Sequence, residues 1–115
     1  MRTLFVTLVG AALATSVAIA QTPDPAKVAA GQKAFTAQKC STCHAIAGKG
    51  NKSSPLDGVG GKLSESDIRT WLTDPATMEA KLPKKPAMSM AGWIKTHKLK
   101  DADVDALTAY MMSLK

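Results

Sequence analysis

Two thiols and an imidazole stand together in Cys40-Ser41-Thr42-Cys43-His44. Cysteines three apart followed at once by histidine are the spacing of a c-type haem attachment site. One turn of chain places both thiols along a porphyrin edge, where each forms a thioether to a vinyl group. The next residue projects its imidazole onto the iron as one axial ligand, so one further ligand must come from elsewhere. Three other chemistries fit these residues less well. A redox disulfide expects a thioredoxin-like strand ahead of the pair, and no β-branched or alternating run precedes Cys40. A zinc site needs four ligands, and only Cys40, Cys43, His44 and the distant His97 are available, without finger-like spacing. A structural disulfide between residues three apart closes too short a loop to stabilise much.

The elements that must hold this segment are helical. Asp24 can cap a helix that Pro25 opens and that runs to about Gln38, with Val28, Gly31 and Phe35 on one face. Glycine in a helix interior costs ~1 kcal/mol relative to alanine, so Gly31 implies close approach of another helix. Residues 45–62 lack any period and read as loop, with Pro55, Leu56 and Val59 available to fold against the proximal face of a haem. A carbonyl of this loop is expected to accept the second ring nitrogen of His44. Ser64 and Asp67 form a capping pattern, with Leu63 and Ile68 as a hydrophobic staple, for a helix carrying Ile68, Trp71 and Leu72. It stops near Asp74-Pro75, which can start a short turn through Glu79. Prolines 83 and 86 hold the next stretch, up to Met90, extended. A last helix spans about Asp101 to Leu114, with Val104, Leu107, Met111 and Leu114 on one face. The cap of this helix is open between two residues: a Leu99–Val104 staple would put Lys100, a poor capper, at the N-cap, and Asp101 is the other candidate. No strand pattern or repeat is present, so an all-α domain of three to four helices is expected.

Composition bounds the rest. Residues 1–20 read as a secretory signal, with Arg2, an apolar stretch from Leu4 and Ala18-Ile19-Ala20 as the cleavage site, leaving 21–115 as one domain. An uncleaved membrane anchor is the alternative, but the run is short for a span. Without Arg2 the net charge is +5, and thirteen of the fourteen remaining cations are lysines. Lysine favours encounter with acidic proteins over bidentate phosphate reading, so nucleic acid is not expected as a partner. Phe35, Trp71, Trp93 and Tyr110 are the only aromatic residues beyond the signal, too few to fill a core, and a buried haem would supply the missing bulk. The thioether of Met88 or Met90 can reach iron from an extended segment, whereas Met78, Met111 and Met112 lie at helical positions and read as core fillers.

In its order of segments the chain resembles the class I c-type cytochromes, and among them the bacterial, mono-haem, periplasmic proteins. Gly31-x-x-x-Phe35 ahead of the haem motif is similar to that family's first helix. Residues Ser54 to Gly60 resemble its proximal loop, Pro86-Ala87-Met88 its methionine strap, and Leu107-Thr108-Ala109-Tyr110 its last helix. The resemblance implies the small cytochrome c fold around one haem c, held covalently through two thioethers, with Gly31 and Phe35 meeting Leu107 and Tyr110. It implies iron ligation by His44 and Met88, with Met90 and then His97 as rivals. It also implies a one-electron carrier rather than an enzyme, working outside the cytoplasm without stable membrane insertion. Its expected partners are acidic redox proteins, a reductase, dehydrogenase or oxidase, met by a rim formed from among Lys39, Lys49, Lys52, Lys84 and Lys85. Two other roles remain open: a gas- or peroxide-reactive haem protein with a displaceable sixth ligand, and a subunit of a larger redox complex.

Overall fold

The computed structural model describes residues 22–115, so the expected signal segment lies outside the described residues. Chain order is α1 (Pro25–Ala37), a 3-10 turn (Cys40–Thr42), β1 (Ala45–Ile46), β2 (Lys49–Gly50), α2 (Val59–Lys62), α3 (Glu65–Thr73), α4 (Pro75–Glu79), α5 (Met90–Thr96) and α6 (Asp101–Ser113). The described residues are mostly helical, as the sequence leads one to expect, with a single two-stranded ribbon. Three helices are long, and α2, α4 and α5 are short pieces set between them.

Helix α1 starts as its residues dictate. The Asp24 carboxylate accepts the Ala26 amide at 2.8 Å and Pro25 occupies the first turn, where its missing N–H is no loss. The helix crosses α6 at Gly31, which is buried against the Ala106 backbone and 2.5 Å, measured from where a Cβ would sit, from Tyr110 Cβ. Phe35 meets Tyr110 edge to face, with ring centroids 6.0 Å apart at 84°. This crossing accounts for a glycine in a helix interior. Its contacts come from Ala106 and Tyr110, while Leu107, only 2 % exposed, forms the centre of the core. Thr108 is also buried, its hydroxyl satisfied by the Val104 carbonyl at 2.7 Å.

Helix α3 packs on α6 through Ile68, and its Arg69 pairs with Asp105 of α6. Ser64 caps it, accepting the Asp67 amide at 3.1 Å. Helix α2 meets the C-terminal end of α6, where the Gly60 amide donates to the Leu114 carbonyl at 2.8 Å and Lys115 Nζ to the Gly60 carbonyl at 3.0 Å.

Two expectations need correction, and one open choice is decided. Residues 45–62 are not all loop: Ala45–Ile46 and Lys49–Gly50 form an antiparallel ribbon, and Val59–Lys62 a turn of helix. The ribbon's two-residue turn, Ala47-Gly48, has positive φ at both positions (52° and 76°), as a primed hairpin turn requires. Alanine is a poor signal for that conformation, and the hairpin is correspondingly hard to see in the sequence. The stretch after Met88 is helix α5, capped by Ser89, whose hydroxyl accepts the Gly92 amide at 3.2 Å. Of the two candidate caps of α6, Lys100 occupies the N-cap, with no side-chain cap bond, so the acidic first turn meets the helix dipole unaided by a cap.

Candidate functional site

The turn that carries the two cysteines begins where α1 ends. Lys39 adopts a left-handed conformation (φ 55°), which breaks the helix and starts the 3-10 turn. The Cys40 carbonyl then accepts both the Cys43 amide at 3.2 Å and the His44 amide at 3.0 Å, so the whole motif is wound about one oxygen. Both cysteines are half-buried and are not joined to each other as a disulfide. Burial pushes the Cys40 thiol up to about 11, against a lowering backbone hydrogen bond and with some help from Cys43.

The imidazole of His44 is oriented from the following loop. Its Nδ1 lies 3.1 Å from the Ser54 carbonyl oxygen, with the Ser54 hydroxyl also at 3.1 Å. An Nδ1–H donated to that carbonyl fixes the tautomer and leaves the Nε2 lone pair for a metal. Burial lowers the His44 pKa, opposed by the Ser54 hydrogen bond, which favours the neutral, ligating form. The Ser54 carbonyl is itself held by the Ala45 amide at 3.3 Å, and Leu56 donates to the Ala45 carbonyl at 2.8 Å. Asn51 ties the ribbon back to the motif, its amide near the Ser41 and His44 carbonyls (3.0 and 3.2 Å) and its side chain donating to Thr42.

Beside this loop lies a cleft of about 360 Å³ lined chiefly by Pro55, Val59, Leu63, Trp71, Met78 and Leu82. Neither His44 nor Met88 lines it. Met88 stands instead on the irregular strap between α4 and α5, 66 % exposed, and Leu82, at the strap's start, is 40 % exposed. Met90 is half-buried in the first turn of α5. Of the methionines expected in the core, Met78 and Met111 are buried and Met112 half-buried. Trp71 packs into the cleft wall. His97 is exposed at the end of α5, stacked on Trp93 with ring centroids 4.5 Å apart. Among the described residues, no three His, Cys, Asp or Glu side chains assemble as a metal-ion site.

The donor set fits a haem: paired thiols three apart and an imidazole with one nitrogen engaged. Residues 28–115 match the Cytochrome c family. The chain belongs to the cytochrome c family. It is therefore a haem-binding electron-transfer protein that carries covalently bound haem c and exchanges electrons with redox partners. Neither a curated protein nor a solved structure matches this cytochrome. No helix among the described residues is long and apolar enough to cross a membrane.

Two features of the site escaped the sequence reading. Ser54 as the acceptor for His44 sits ten residues away, and only its place before Pro55 marks it. Glu79, which binds the far end of the strap, has no local signal at all, because its partners lie ten and twelve residues on.

Proposed function

We propose that this cytochrome is an exported, periplasmic one-electron carrier in which Cys40 and Cys43 hold one haem through two thioethers and His44 Nε2 and Met88 Sδ ligate the iron. The observation that carries the reading is the exposed side chain of Met88, on a strap whose far end Glu79 holds, while Met90 is committed to a helix. An unbranched apolar side chain 66 % exposed, on the same strap as exposed Leu82, is available to be covered by a bound group. The bound haem supplies the one-electron couple, and Met/His ligation raises its potential and closes both axial positions.

The chain's own residues do the rest. Ser54 holds the imidazole and makes it a stronger donor. Trp71, Leu63, Met78 and Leu82 offer an apolar wall that excludes water from the cofactor. Lys39, Lys49, Lys52, Lys84 and Lys85 are all exposed and supply a basic surface for an acidic reductase, dehydrogenase or oxidase. Residues 1–20 act as the cleaved export signal and 21–115 as the working domain.

The ferric optical spectra of wild type, Met88→Ala and Met90→Ala test the ligation. Met88→Ala is expected to lose the weak sulfur-to-iron band at the red end of the spectrum, and its retention overturns the assignment. Rapid carbon monoxide binding to the ferrous wild type would favour a gas- or peroxide-reactive protein over a carrier.

A further inference from the structure

The strap presents two methionines two residues apart, and the hydrogen bonds around Glu79 treat them differently. Glu79 ends α4, ten residues before Ser89. Its carboxylate accepts the Ser89 hydroxyl at 3.0 and 3.1 Å and the Ala91 amide at 3.0 Å. The Met90 backbone faces the same carboxylate. The Ser89 hydroxyl oxygen in turn accepts the Gly92 amide at 3.2 Å. The first-turn donors of α5, which a helix cannot satisfy by itself, are thus met by one carboxylate and one hydroxyl. Met90 lies inside this clamp as the first residue of α5, and Met88 lies just outside it, on irregular backbone.

We infer that Glu79 is a positioning residue that selects Met88 over Met90 as the sixth iron ligand, by holding the first turn of α5 closed and fixing the end of the strap. The inference rests on the Met88 ligation proposed above. Met90 can bring its sulfur to the position Met88 takes only if the first turn of α5 unwinds and the strap shifts by two residues. Breaking the bonds to Ser89 and Ala91 frees that turn. Replacing Glu79 by alanine removes every one of these acceptors, whereas glutamine retains Oε1, the oxygen that both Ser89 and Ala91 reach.

Proton NMR of the ferrous holoprotein reads the outcome, because the methyl of a ligating methionine is shifted far upfield by the porphyrin ring current. Wild type and Glu79→Gln are expected to show one such methyl signal. Glu79→Ala is expected to show two, with populations within about tenfold of one another, as loss of a charge-assisted hydrogen bond or two permits. The Glu79→Ala, Met90→Ala double variant is expected to return to one. A single ligand-methyl signal in Glu79→Ala that is unchanged when Met90→Ala is added, or no such signal, overturns the inference while leaving Met88 ligation standing, provided Met88→Ala loses its sulfur-to-iron band. A Met88→Ala protein that keeps the band overturns both.

Discussion

Replacing Gly31 by alanine tests the helix crossing on which the domain is built. In an ordinary helix interior the change would stabilise by ~1 kcal/mol. Here the added methyl would fall 2.5 Å from Tyr110 Cβ and 2.9 Å from the Ala106 carbonyl carbon, and would also overlap the Ala106 oxygen. Carbon contacts relax to ~3.5 Å, so α1 and α6 must part locally by ~1 Å. Two of the obstructing atoms are backbone, and no rotamer change relieves them. Overpacking of this kind costs up to ~3 kcal/mol, which less the propensity gain leaves a loss of ~2 kcal/mol. For a domain of this size that corresponds to a fall in Tm of about 8–16 °C. Thermal unfolding of the holoprotein, followed by far-UV circular dichroism, measures it. Gly61→Ala is the control, since nothing lies within 4 Å of its would-be Cβ, and it should leave Tm unchanged or slightly raised. A Gly31→Ala protein as stable as wild type would refute the reasoning.

Ala47 sits at φ 52° in the hairpin turn, where an L side chain costs ~1 kcal/mol, so Ala47→Gly or Ala47→Asn should stabilise by about that amount in denaturant unfolding. Tyr110 is the chain's only tyrosine, and burial, aided by the Asp57 charge, raises its pKa above the ordinary 10.0. The unfolded phenol therefore loses its proton first as pH rises through 10, and stability should fall from there upward. An ultraviolet phenolate titration should place the midpoint above 10, and Asp57→Asn should lower it part of the way. Glu79 runs in the other direction. Its pKa is lowered, chiefly by the Ala91 backbone hydrogen bond, so its contribution is present above pH 4.5 and lost as pH falls through its folded-state value. Acid unfolding of Glu79→Gln should lack that component. Lys84→Glu with Lys85→Glu should slow electron transfer to an acidic redox partner at low salt, with the difference shrinking as ionic strength approaches ~0.15 M. Equal rates at low salt would argue against a basic docking rim.

Much of the frame is legible along the chain because its causes are local. Asp24-Pro25 and Ser64-x-x-Asp67 announce two helix starts, and Asp74-Pro75 separates α3 from α4, because capping acts over two or three residues. The face of α6 follows from its period, and Gly31 announces a crossing before the crossing partner is known. Elements whose signal is weak or whose cause is distant are missed. The β1–β2 ribbon turns on an alanine forced to positive φ, held by a bond from the Ala47 amide to Asp57 at 2.8 Å, ten residues away. Helix α5 is seven residues long, with Trp93 and His97 stacked on its surface and little apolar periodicity to give it away.

By itself the sequence determined the chemistry available: two thiols and an imidazole at haem-attachment spacing, a set of methionines, and helices whose ends are written in their capping residues. These are properties of covalent order and of interactions between near neighbours. Only the tertiary structure decided which groups serve them. It brought the Ser54 carbonyl to His44, the Ala106 backbone to Gly31, and the Glu79 carboxylate to the start of α5, leaving Met90 inside a helix and Met88 on the strap. Each of these is a contact between residues ten or more apart, closed by the packing of the whole chain, and no local pattern encodes it.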